Sequence, residues 1–229
     1  MKKLTAFLLS LIMAILPFAV SSAEKENAGI AIAVGEEKIT AQQLKEAIEL
    51  SMFRGAIECA GYGYAYDITD PLNIEDEEDK VVYDLELNIV IQAQAKEKDV
   101  DTLTPESETT LRDRFDETWN RYMEIAMSEN GLYFLPAGDY EPTEDPEENI
   151  RRYFASFGLT KETLAESIKR ELVDEQLKAA VTAGMEGSED EIFMYYIDWI
   201  LERYDESEIT ENREVITAVM EELGWRAAD

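Results

Sequence analysis

Histidine is absent from the 229-residue chain, and cysteine occurs once, at Cys59. Without imidazole, no Ser-His-Asp or Cys-His catalytic arrangement can be built, nor any zinc site that needs histidine. A lone cysteine excludes an intramolecular disulfide, a CxxC redox pair and a thiolate metal cluster. Basic residues are scarce as well: 21 Lys and Arg stand against 51 Asp and Glu, a formal charge of −30. Nucleic acid does not suit such a surface, because phosphate contacts need clustered Lys and Arg. What is plentiful is apolar material, 45% of residues, enough to bury the core of one domain or two small ones.

The first 23 residues have the layout of a secretory signal peptide. Lys2 and Lys3 precede an uncharged apolar stretch, Leu4 to Val20, interrupted by Pro17. Ser21 and Ala23 then place small residues at −3 and −1 of a cut after Ala23. A retained anchor is the rival reading; the stretch is at the short limit for a span, and Pro17 would break its helix. No cysteine stands at the cut, so lipid is not attached there. The expected organisation is a signal peptide at 1–23 and one helical domain at 24–229, working outside the cytoplasm. In that setting Cys59 reads as a small packing residue.

Along the remaining chain, breakers separate helical periodicities. Ile30 to Val34 is a short β-prone run. Thr40 with Gln43 forms a capping-box start, followed by Leu44, Ala47, Ile48, Ser51 and Met52 at helical spacing. Gly61 to Pro71 ends that helix. A second helix is expected from the acidic run Glu75–Asp79 to Glu97, with Val82, Leu85, Ile89 and Ala93 as its stripe. A third starts at Thr104-Pro105 and runs through Leu111, Phe115, Trp119, Tyr122 and Ala126 to Gly131. Leu132 to Glu144 reads as a loop. Asp145-Pro146 opens a short helix ending at Gly158, and Thr160 begins an amphipathic one with Leu164, Ile168, Leu172, Leu177 and Val181. Ser188 and Glu191 cap the next, to about Tyr204, and the last spans Thr210 to Leu223, closed by Gly224. Six or seven helices without a convincing sheet predict an all-α protein, an irregular bundle.

Candidate chemistry is thin. The acidic clusters Glu75–Asp79 and Glu144–Glu148 read as helix starts or solvated faces. Neither has the spacing or central glycine of an EF-hand, and with so many acids a carboxylate pair alone does not argue for a glycosidase. GYGY at Gly61 lacks the strand-to-helix context of a nucleotide loop. No metal, cofactor or catalytic residue is therefore assigned, and no enzyme activity is expected. The run Ile192 to Leu201 stands out. On a helix, Phe193, Tyr196, Ile197, Ile200 and Tyr204 fill one face, while Ile192, Tyr195 and Trp199 fill a second. A helix apolar nearly all round is ordinarily buried between layers. The sharper reading makes Ile192, Tyr195 and Trp199 a groove for apolar segments of another polypeptide.

Three segments in order resemble the SurA/PrsA type of extracytoplasmic chaperone. Val34–Ile48 (VGEEKITAQQLKEAI) resembles the family's opening, although the Asn usual before Gly35 is missing. Phe157–Val181 is similar to its later helix. Gly187–Tyr196 (GSEDEIFMYY) is similar to the segment that leads into the prolyl-isomerase domain. That domain needs about a hundred residues, only 33 follow Tyr196, and parvulin sites use histidine. The resemblance therefore implies the client-holding helical part, akin to the trigger-factor C-terminal fold, without the isomerase. It implies an exported, ATP-independent holdase for unfolded or newly translocated polypeptides. The alternative is a non-catalytic envelope subunit with one dedicated protein partner, for which Cys59, the Gly61–Pro71 loop and the acidic loop before Asp145 would supply specificity.

Overall fold

Thr40 ends a strand and starts a helix. Its hydroxyl accepts the backbone N–H of Gln43 at 3.3 Å, and the Gln43 side chain accepts the Thr40 N–H at 2.9 Å. The computed structural model describes residues 29–66 and 71–223. The expected signal peptide at 1–23 and the closing Gly224 lie outside them. Upstream of Thr40, β1 (Ile30–Val34) and β2 (Glu37–Thr40) form an antiparallel hairpin with Val34 opposite Glu37. Gly35 sits at φ +58° in the two-residue turn between them, a position that favours glycine in tight hairpins.

β3 (Ile209–Glu211) pairs with the other side of β1, giving the order β2-β1-β3. This small sheet corrects the expectation of none. Only β1 is legible beforehand. β2 and β3 have four and three residues, too few for alternation to declare itself, and they become strands by pairing with β1. The last helix consequently starts at Arg213 rather than Thr210, with Asn212 as its cap.

Eight helices are seen among the described residues: α1 (Ala41–Gly61), α2 (Pro71–Glu97), α3 (Pro105–Met127), α4 (Glu129–Phe134), α5 (Pro146–Ser156), α6 (Lys161–Val181), α7 (Glu189–Asp205) and α8 (Arg213–Glu222). The fold is helix-dominated, as the periodicity predicts. Thr104, Asp145, Thr160 and Ser188 all cap as read from the sequence. The unexpected element is α4, since the third helix stops at Met127. Ser128 caps both sides of the corner: its hydroxyl donates to the Ile125 carbonyl at 2.6 Å and accepts the Gly131 N–H at 3.1 Å.

The helix buried on most sides is α2, not α7. Val81, Val82, Leu85, Leu87, Val90 and Ile91 are all buried, and so are Asp84, Glu86 and Asn88. It packs against α1, α6, α7 and β1, so even its polar face meets protein. Ala93, expected in its apolar stripe, is exposed instead. Two cores result. One joins the sheet to α2, α7 and α8. The other gathers Phe53, Trp119, Phe154, Leu159 and Ile168 where α1, α3, α5 and α6 meet.

Candidate functional site

Helix α7 carries Ile192, Tyr195 and Trp199, and they differ in exposure. Tyr195 is 45% exposed, while Ile192 and Trp199 are half-buried. Trp199 leans on the first core and stacks on Tyr196 with ring centres 6.3 Å apart. The Lys98 ammonium and the Arg203 guanidinium lie 5.9 and 5.6 Å from its ring centre. Such cation–π contacts hold the indole in place. Tyr196 and Ile200 turn inward as expected, and the Tyr196 hydroxyl donates to Asp174.

A more exposed aromatic surface lies at the other end of α1. Among the large hydrophobic side chains described, the four most exposed are Tyr133 (81%), Tyr62 (73%), Tyr64 (69%) and Met127 (60%). They share one end of the molecule. α1 finishes at Gly61, so close to Ile125 of α3 that a Cβ would sit 2.9 Å from the Ile125 Cδ1. Gly63, at φ +76°, turns the chain beside Asn130 of α4. An ion pair between Arg121 and Glu58 ties α3 to α1. The glycines that mark the break in the sequence thus let α1, α3 and α4 converge, and the tyrosines project from that junction. The sequence reading places specificity in Gly61–Pro71 but misses Met127 and Tyr133, because only the fold brings them beside Tyr62.

Between α2 and α6 lies an open cleft of about 700 Å³. Asn88, Gln92 and Lys96 line it from successive turns of α2; Glu166, Lys169 and Arg170 line it from α6. The Gln176 amide donates to the carbonyls of Val100 and Thr102 at 2.9 and 3.0 Å, pinning the chain after α2 to α6. A smaller cavity of about 210 Å³ lies under Pro136–Asp139, beside Met52, Phe53 and Phe157. Its loop is held down by the Tyr153 hydroxyl, which donates to the Pro136 carbonyl at 2.5 Å.

No protein-family model, curated protein or solved structure matches this chain. The three segments singled out in the sequence, Val34–Ile48, Phe157–Val181 and Gly187–Tyr196, have defined places in the fold. They map onto the hairpin and first turns of α1, onto α6 with its preceding turn, and onto the start of α7.

The chemistry of the interior is carboxylate chemistry. Glu77, expected on a solvated helix start, is buried instead. It accepts from Ser51 Oγ at 2.7 Å and from Lys80 Nζ at 3.0 Å, with the Tyr66 hydroxyl at 3.5 Å. Burial pushes Asp84 up to about 7, with Lys80 opposing the rise and Glu77 adding to it. Burial likewise raises Glu171 to about 7 against the pull of Arg114 and Arg54. Glu86 and Asp174 are raised by burial too, each partly offset by a tyrosine hydroxyl, Tyr204 and Tyr196. Burial raises the half-buried Cys59 thiol, which keeps it in the unreactive protonated form. Among the described residues no three acid or cysteine side chains converge as metal ligands, and no helix is long and apolar enough to cross a membrane.

Proposed function

We propose that this protein is an exported, ATP-independent holdase that binds unfolded or newly translocated polypeptides outside the cytoplasm. The observation that supports it most is the tyrosine-rich end formed by Tyr62, Tyr64, Met127 and Tyr133. Exposed apolar surface concentrated in one place marks interaction sites, and tyrosine supplies contact area at small entropic cost. Three motifs of a chaperone family, carried on the hairpin, α6 and α7, add to this reading. A charge of −30 keeps the protein and a bound client in solution through repulsion.

The test is light scattering from a chemically reduced protein that aggregates as it unfolds. Equimolar protein is expected to suppress the signal. A Tyr62→Ser/Tyr64→Ser/Tyr133→Ser variant should lose most of that suppression while its melting temperature stays within a few degrees, because exposed rings contribute little to folding. Absence of suppression by the unmodified protein would end the holdase reading. A single stoichiometric partner recovered by cross-linking through that end would establish the dedicated-subunit alternative.

A further inference from the structure

The cleft between α2 and α6 collects charged side chains without a direct ion pair and two donors without a hydrogen-bond partner. Six charged side chains line it: Glu37, Lys96, Asp101, Glu166, Lys169 and Arg170. None is in an ion pair among the described residues, although most other cations there pair with an acid or lie over an aromatic ring. With 51 acids to 21 bases, three cations without a direct ion pair in one cleft run against the composition, the Glu166 carboxylate acting on Arg170 only from beyond contact distance. Two donors there, Gln92 Nε2 and Arg170 Nη2, are shielded from solvent and have no hydrogen-bond partner. Groups of this kind are almost always satisfied in native proteins.

Both orphaned groups are donors, so a ligand must bring acceptors. The exposed charges around them have both signs, which disfavours a free multivalent anion and suits a peptide. Asn88, Gln92 and Lys96 are spaced four apart, so their row runs about 12 Å along α2 at 1.5 Å per residue. That matches about four residues of extended chain at roughly 3.3 Å each. Ile89, Ala93 and Val173 provide apolar wall between the polar groups. Burial lowers Arg170 only to about 10, so it stays cationic at neutral pH. The chain's overall negative charge is screened beyond about 8 Å at physiological salt and leaves a local cation effective.

We infer that this cleft binds an extended peptide segment of about four residues through a carboxylate placed on Arg170 and a main-chain carbonyl placed on Gln92. The site deepens the polypeptide-binding reading and rests on it, but it is separate from the tyrosine end. The carboxylate could come from an acidic side chain or from a chain terminus, and the probes distinguish these sources.

The experiment is a chemical-shift titration of the full protein, following the Asn88 and Gln92 side-chain amides. Three tetrapeptides are compared: one blocked at both ends with an internal Glu, its neutral Gln twin, and that Gln peptide with its C-terminus left as a free carboxylate. At least one carboxylate peptide is expected to bind about tenfold more tightly than the Gln twin, the worth of one charge-assisted hydrogen bond. Arg170→Met should abolish that preference, and Gln92→Met should weaken binding of all three peptides. Equal affinity for the Glu and free-carboxylate peptides and the neutral twin overturns the inference, as does no binding, or inorganic phosphate competing as well as peptide. If Arg170→Met fails to fold, the peptide comparison and Gln92→Met still decide. Loss of aggregation suppression in the tyrosine variant with this titration unchanged would show that the two surfaces act separately.

Discussion

Asp84 is 7% exposed on a helix packed against protein on several sides. Its carboxyl, with that of Glu171, is raised to about 7. Between the ordinary carboxylate range and pH 7, the folded chain therefore holds protons that the unfolded chain has released. Stability must fall as pH rises through that window, the reverse of ordinary acid denaturation. The urea midpoint is expected to be higher at pH 5.5 than at pH 8. Asp84→Asn should raise stability at pH 8 by on the order of 2 kcal/mol, since each tenfold change in proton affinity is worth about 1.4 kcal/mol before the site relaxes. The same substitution should flatten the dependence between the two pH values. A midpoint that rises with pH in the wild type would refute this account of α2.

At the level of elements, caps and corners carry the information. Thr40 serves β2 and α1 together, so Thr40→Ala should cost about 1 kcal/mol in urea unfolding. Gly131 is more exacting. A Cβ there would lie within 2.7 Å of the Ala126 carbonyl oxygen and collide with that of Ile125. Gly131→Ala is expected to cost about 1–3 kcal/mol, because the obstacle is backbone and cannot rotate away. It should also weaken client binding, since the same corner carries Tyr133. Helix starts are legible in the sequence because Thr40, Thr104, Asp145, Thr160 and Ser188 announce themselves by chemistry that acts within three residues. The α3–α4 corner is not, because Gly131 reads equally well as a helix stop and as a residue inside a tight turn. β2 and β3 are not, because a strand of three or four residues exists only through its partner.

For the whole molecule, the two cores are joined by shared helices. α1 sends Leu44, Ala47 and Ile48 into one and Leu50, Phe53 and Ile57 into the other; α6 likewise divides Val173 and Leu177 from Leu164, Ile168 and Leu172. Two cores built on the same helices should unfold together. Trp119 belongs to one and Trp199 packs on the other, which makes each a local reporter. In a Trp225→Phe background, Trp119→Phe and Trp199→Phe variants should each give coincident fluorescence and circular-dichroism midpoints in urea. Separate midpoints would mean that α1 or α6 breaks between the cores.

The capped starts of α1, α3, α5, α6 and α7, the acidic composition and the absence of histidine chemistry were determined by the sequence alone, because each depends on residue type or on neighbours a few positions away. Which apolar helix is central was decided by tertiary structure. Ile192–Leu201 is the more apolar run, yet α2 is the one surrounded, because α1, α6, α7 and β1 all close on it and take three of its acidic side chains inside. The same packing left Trp199 clamped rather than open. It also brought the end of α1 with Tyr62 to the α3–α4 corner with Met127 and Tyr133, and put Gln92 and Arg170 in one cleft, juxtapositions set by how separate helices pack rather than by local periodicity.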